Sequence, residues 1–134
     1  MRALELDINQ MNDLEIKGIL HGFIEKAENR EQLIRYVEAL AAAERAIALD
    51  ESSAEAWYLK GTCQAMLAEY EEALKAFEQA LIIDEMYVPA WDGKAWALGI
   101  LRDKVGALAA IDRALELDPE YFEALKRRKR LEVM

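Results

Sequence analysis

Two consecutive stretches of 34 residues decide the fold: residues 54–87 read AEAWYLKGTCQAMLAEYEEALKAFEQALIIDEMY, and residues 88–121 read VPAWDGKAWALGILRDKVGALAAIDRALELDPEY. Laid over each other without a gap, they share eleven identical positions, against roughly two or three expected from composition. A fixed period of this length is typical of stacked repeats. Because each unit in such a stack contacts only its neighbours, the product is an extended, curved binding surface.

Each stretch predicts two short helices joined by a polar turn. In the first stretch, apolar and small side chains recur at helical spacing on both sides of a break at residues 68–69. Ser52 is expected to cap the first helix, with Glu55 completing a capping box. In the second stretch the helices are expected at about 88–101 and 104–117. Asp118 is expected to cap a further helix that carries Pro119 in its first turn.

The pattern resembles the tetratricopeptide repeat (TPR), a helix–turn–helix unit of the form W-x2-L-G-x2-Y…A-x3-F…P. The positions that carry the resemblance are Trp57, Lys60, Gly61, Gln64, Ala73 and Phe77 in one unit, and Trp91, Lys94, Ala95, Leu98, Ala107, Ile111 and Pro119 in the next. The departures are lysine for leucine, Gln64 and Leu98 for tyrosine, and Glu85 where proline is typical. The resemblance implies an all-α fold, a right-handed α-solenoid of about three such units with a C-terminal capping helix.

We expect one TPR domain over residues 1–134, divided into a remnant helix, a divergent repeat, two regular repeats and a capping helix. The bounds are 1–10, 11–53, 54–87, 88–121 and 122–134. Residues 2–7 (RALELD) are identical to residues 113–118, the end of a repeat's second helix. This match indicates the remnant of an earlier repeat, but an ordinary amphipathic N-terminal helix would explain it equally well.

Composition narrows the functional class. The formal net charge of −9 argues against nucleic acid as a partner, because phosphate binding depends on Lys and Arg. A single cysteine gives no intrachain disulfide. No long apolar run indicates a membrane span or a signal peptide, so we expect a cytoplasmic protein with no membrane partner.

The sequence predicts no active site, metal or cofactor. His21 and Cys63 are the only pair that could suggest nucleophilic catalysis. Their positions in the repeat differ by eight residues, which separates them by about 12 Å along neighbouring helices. Cys63 aligns with Ala97 and is therefore expected to be a small buried filler.

The TPR resemblance implies that the inner face of the first helices binds a peptide or a helix of another protein. Helical periodicity independently puts the matching residues of each helix on one face. The predicted groove residues are Glu55, Tyr58, Thr62, Met66, Asp92, Trp96 and Ile100, with Lys126 and Arg130 at the end of the groove. The acidic members, Glu55 and Asp92, would favour ligands with basic flanks. Trp96 has no aromatic counterpart at Thr62 and is expected either to anchor a ligand or to pack against the terminal helix.

Residues 126–130 form an unbroken basic run, KRRKR, in an otherwise acidic chain. The run is expected to be a solvated cap, with an anion-binding tail or a dock for another copy as the alternative. Three functions are compatible with the sequence: a non-enzymatic protein-interaction module, a self-assembling scaffold that stacks through its terminal repeats, and an enzyme. The first is favoured, with the scaffold as the second choice and a possible homo-oligomer as its consequence.

Overall fold

The computed structural model describes residues 30–133 and shows six helices and no strand in that range. The helices are α1 (Arg30–Leu49), α2 (Ala54–Met66), α3 (Tyr70–Ile83), α4 (Val88–Ile100), α5 (Lys104–Leu117) and α6 (Phe122–Glu132). The all-α class and the predicted hairpins α2–α3 and α4–α5 are confirmed. The expected remnant at residues 1–10, the first helix of the divergent repeat and His21 lie outside the described residues.

The two tryptophan-bearing hairpins repeat each other in their side-chain contacts. The indole nitrogen of Trp57 donates to the carbonyl of Glu51 at 3.1 Å, and that of Trp91 donates to the carbonyl of Glu85 at 2.7 Å. The lysine three residues after each tryptophan places its ammonium over the indole ring. Lys60 lies 5.3 Å from the ring centroid of Trp57, and Lys94 lies 5.5 Å from that of Trp91. Such cation–π contacts each contribute about 0.5–1 kcal/mol at exposed sites. The sequence period therefore corresponds to a repeat in three dimensions.

The same equivalence extends to the end of every second helix. The side-chain oxygens of Asp50, Asp84 and Asp118 each accept a hydrogen bond from the backbone N–H two residues on, at 3.0 to 3.1 Å. This is the turn that aspartate forms with its own local backbone. Since these aspartates are 34 residues apart, α1 ends as the second helix of a unit in register with the two regular repeats.

The turn after the first helix of each hairpin contains a left-handed residue. Ala68 has φ 63° and Arg102 has φ 68°. The following amide donates back across the turn in both hairpins, from Glu69 to the Gln64 carbonyl at 2.8 Å and from Asp103 to the Leu98 carbonyl at 2.9 Å. This closure satisfies carbonyls at the helix end that would otherwise lack a partner.

Phe77 joins the two hairpins. Its side chain is fully buried, and a Cβ on Gly61 of α2 or on Gly93 of α4 would come within 2.8 Å of its ring. Both helices can approach α3 this closely only because each has a glycine at the contact. The ring also packs in a cluster with Ala65 and with other small side chains of the neighbouring helices.

The helices form two layers. The second helices α3 and α5 each pack on the first helix before them and on the first helix after them, and α1 packs on α2. The first helices α2, α4 and α6 also contact one another in sequence, and they do so more closely than the second helices α1, α3 and α5 do. Because closer spacing in one layer bends a stack toward that layer, the first helices form the inner face.

Two predicted caps are wrong. The cap of α2 is Ser53, whose hydroxyl accepts from the Ala56 amide at 3.1 Å. Ser52 is instead held in the preceding turn, where its amide and hydroxyl both donate to Asp50. Asp118 ends α5 and does not cap α6, since α6 begins only at Phe122 with Tyr121 before it.

Candidate functional site

The inner face of α2, α4 and α6 carries the residues that the sequence predicted for the groove, but it uses them in different ways. Some are joined to one another or to the core, and others keep exposed surface. Only the second group has surface left for a ligand.

Asp92 and Arg127 form a two-point ion pair across the inner face. Arg127 Nε donates to Asp92 Oδ1 at 2.8 Å, and Arg127 Nη2 donates to Asp92 Oδ2 at 3.2 Å. Asp92 is only 6% exposed, and the Arg127 side chain is 19% exposed. This planar two-bond geometry is the strong form of an arginine–carboxylate contact. Asp92 therefore already has an arginine partner within the protein, which leaves less of its charge for a ligand, and its preference for basic flanks stays a prediction.

Trp96 lies beside this pair and is half-buried. The guanidinium carbon of Arg127 lies 5.6 Å from the centroid of its ring, while other edges of the ring pack against the cluster around Phe77. Trp96 contacts the terminal helix through Arg127, and part of its surface remains open; its role as a ligand anchor stays a prediction. Since Asp92 fixes Arg127 and Arg127 lies on the ring, the orientation of Trp96 is restrained before any ligand arrives.

Tyr58 packs in an aromatic cluster with Phe77 and Tyr87. Its ring centroid lies 5.9 Å from that of Phe77 and 5.7 Å from that of Tyr87, the latter in an edge-on arrangement. Burial, together with the nearby Tyr58 and Asp92, raises the pKa of Tyr121 to about 12. Burial also raises the pKa of Tyr87, with the charge of Glu55 adding to it. Tyr58 is therefore mainly a packing residue, with part of its surface accessible.

The remaining predicted residues line the face without strong internal partners. Ile100 is 49% exposed at the end of α4, and Met66 is half-buried at the end of α2. Thr62 is half-buried, and its hydroxyl donates to the Tyr58 carbonyl one turn earlier at 3.0 Å. Glu55 is exposed in the first turn of α2.

The two predicted basic residues of α6 are both exposed. The ammonium of Lys126 lies 4.8 Å from the centroid of the Phe122 ring. The basic run as a whole is divided: Arg127 is used by Asp92, and Arg128 pairs with Asp112 and Glu132. Lys126, Lys129 and Arg130 are left projecting from the helix.

Arg127 is the residue of this face that was missing from the predicted groove. A signal was available in the repeat register, where Asp92 replaces Tyr58 and Arg127 replaces Gly93. Asp92 on α4 and Arg127 on α6 thus carry opposite charges on neighbouring first helices. The residue at the equivalent position one repeat earlier is uncharged in both cases.

Within residues 30–133, no cluster of His, Cys, Asp or Glu is arranged to hold a metal ion. Burial raises the pKa of the Cys63 thiol, which keeps it in the unreactive neutral form. No helix of the described range is long and apolar enough to cross a bilayer.

The stacked hairpins define the chain as an α-solenoid. Comparison with known proteins shows which family of helical repeats it resembles. Residues 54–87 match the family model of the tetratricopeptide repeat. In this repeat, and in the fold of residues 30–133, the chain is similar to TPR proteins. A search of curated proteins gave no match.

Solved TPR structures share the fold. The TPR domain of Arabidopsis OM64 matches with a TM-score of 0.71 and 24% identity, over 73% of this chain and 81% of that one. The first TPR of Spaghetti (RPAP3), bound to the HSP90 peptide SRMEEVD, matches with a TM-score of 0.71 and 20% identity. The match covers 81% of this chain and 86% of that one. YrrB, described as a TPR protein with an unusual peptide-binding site, matches with a TM-score of 0.67 and 26% identity, over 73% of this chain and 50% of that one.

Proposed function

We propose that this chain is a protein-interaction module, without catalytic activity, that binds a peptide or a helical segment of another protein along its inner face. Solved domains of the same fold have been captured with peptides of other proteins bound. The observation that carries the proposal is the restrained, half-buried Trp96 beside the exposed Ile100. Fixed aromatic side chains next to apolar surface are preferred binding anchors, because little side-chain entropy is lost when they are covered.

The charges of the face suggest the polarity of the ligand. Asp92 is neutralised by Arg127, so Glu55 is the exposed acid on α2, while Lys126 and Arg130 are exposed on α6. A ligand with an apolar anchor over Trp96 would therefore place a basic flank toward α2 and an acidic flank toward α6. Because the charges of Asp92 and Arg127 neutralise each other, this part of the groove carries no net charge.

The test uses a displayed library of random peptides selected on the protein, since the natural partner is unknown. Selected peptides are synthesised with a fluorescent label, and their affinity is measured by anisotropy. We expect Ile100→Ala and Trp96→Ala to weaken binding by about tenfold or more, which is typical of anchor residues. Arg130→Glu should weaken peptides that carry an acidic flank.

Ile82→Ala provides a matched control, because Ile82 is an exposed isoleucine on α3, outside the inner face. Circular dichroism verifies that each variant keeps its helices. If Ile100→Ala and Ile82→Ala have the same effect on every selected peptide, the inner face is not the binding site and the proposal fails.

The second candidate function, a self-assembling scaffold, would use the ends of the array. Variants of the inner face would then leave association between copies unchanged, so the two functions can be measured separately.

A further inference from the structure

Three tyrosines meet at the end of the inner face where the first helices begin. Tyr58 lies in the first turn of α2, Tyr87 directly precedes α4 and Tyr121 directly precedes α6. The ring of Tyr87 packs edge-on against that of Tyr58, with 5.7 Å between the centroids. Tyr121 lies near both, since their charges add to the effect of burial in raising its pKa. We call these three residues the tyrosine site.

The hydroxyl groups of the tyrosine site are available to a ligand. All three tyrosines are half-buried, and their hydroxyls make no hydrogen bond to any residue of the described range. In that range the only fully buried side-chain nitrogen or oxygen without a partner is Gln64 Oε1. The tyrosine hydroxyls therefore keep contact with solvent, and each ring offers an apolar body with an accessible polar tip.

The charges around the tyrosine site are negative. Burial and the charge of Glu55 raise the pKa of Tyr87, and Asp92 and Glu123 act in the same direction on Tyr121. Asp92 has its arginine partner, but Glu55 and Glu123 are exposed and have no ion-pair partner within residues 30–133. An electrostatic field that disfavours a phenolate attracts a positively charged group.

We propose that the tyrosine site binds the cationic head of a lysine or arginine in the partner's segment. Aromatic faces attract ammonium and guanidinium groups, and the hydroxyl oxygens can accept hydrogen bonds from them. Glu55 and Glu123 supply opposite charge at the rim. The site is part of the inner face and therefore rests on the proposed function, to which it adds the chemistry of one ligand residue.

The test uses peptides selected from the displayed library, with affinities measured by fluorescence anisotropy. We expect these peptides to carry a lysine or arginine at a constant spacing from their apolar anchor. Each peptide is then made again with norleucine at that position, which keeps an aliphatic chain and removes the charge. This change should weaken binding by about tenfold, because the aromatic and the electrostatic attraction are lost together.

A protein variant locates the cation. Glu55→Gln should weaken the charged peptide by about threefold, as expected for an exposed charge pair, and should leave the norleucine peptide unchanged. Glu71→Gln is the matched control, because Glu71 is an exposed acid on α3, outside the inner face. It should change the affinity of neither peptide. Circular dichroism verifies that both variants keep their helices.

The failure of this site and the failure of the proposed function give different results. Selected peptides without a basic residue at constant spacing, or norleucine peptides of full affinity that Ile100→Ala still weakens, would overturn the cation site alone. Equal effects of Glu55→Gln and Glu71→Gln on the charged peptide would also overturn it. Binding that Ile100→Ala and Ile82→Ala affect equally would overturn the proposed function and the cation site together.

Discussion

The contact between Phe77 and Gly61 allows a quantitative test, because the next repeat solves the same packing problem differently. Ile111 stands where Phe77 does, and Ala95 stands where Gly61 does. A Cβ on Gly61 would lie 2.7 Å from the Phe77 ring and 3.1 Å from the Ala73 carbonyl oxygen. The smaller isoleucine leaves room for the methyl group. We therefore consider Gly61→Ala, Phe77→Ile and the double variant that copies the later repeat.

Each single change should destabilise the fold. Gly61→Ala overpacks the ring at a cost of about 1–3 kcal/mol, and the better helix propensity of alanine returns up to about 1 kcal/mol. A net loss of about 1 kcal/mol is expected. Phe77→Ile removes buried carbon from a fully enclosed site and should cost about 2 kcal/mol. In the double variant the new methyl occupies vacated space, so the total loss should be only about 1 kcal/mol, which is a coupling of about 2 kcal/mol.

Urea unfolding followed by helical circular dichroism measures the free energy of unfolding of all four proteins. The coupling is the difference between the double variant and the sum of the single ones. Additive losses, within the usual error of about 0.5 kcal/mol, would refute the idea that glycine at this position exists to admit the phenylalanine ring.

Three further outcomes are expected. Ala68→Gly and Arg102→Gly should each raise the free energy of unfolding by about 0.5–1 kcal/mol in urea titrations, because both residues are left-handed. Arg127→Met should cost about 3 kcal/mol by leaving Asp92 buried without a partner, and adding Asp92→Asn should recover at least about half of that. Tyr121 should ionise near pH 12 in an ultraviolet titration. Its contribution to stability, complete below the ordinary pKa of 10, should be lost as the pH rises toward 12, and Tyr121→Phe should remove this part of the pH dependence.

The helices of residues 54–117 could be predicted from the sequence to within a residue or two, because the 34-residue period places the second hairpin once the first is recognised. The cap of α2 could not. Ser52 and Ser53 are adjacent and equally suitable as caps, and the choice depends on Asp50, which holds Ser52 in the turn before the helix. The hydrogen bond from Ser52 to Asp50, a residue of the previous unit, therefore decides which serine caps α2.

The chemistry of the inner face was only partly predictable. Helical periodicity gave the right face for Trp96 and Ile100, but it carries no information on which side chains neutralise one another. The pair between Asp92 and Arg127 joins residues 35 positions apart. Its formation depends on the spacing of α4 and α6 and on the reach of the arginine, and neither can be obtained from a single helix. This is why Asp92 was predicted to face a ligand.

The proposed function requires that the inner face of the stacked first helices binds another polypeptide. The most direct measurement is a nuclear magnetic resonance titration of the isotope-labelled protein with a peptide selected from the displayed library. We expect the largest shifts at the Trp96 indole and at amides around Ile100, with smaller ones along the inner face of α2 and α6. Shifts concentrated on α3 and α5, with the Trp96 indole unmoved, would contradict the claim.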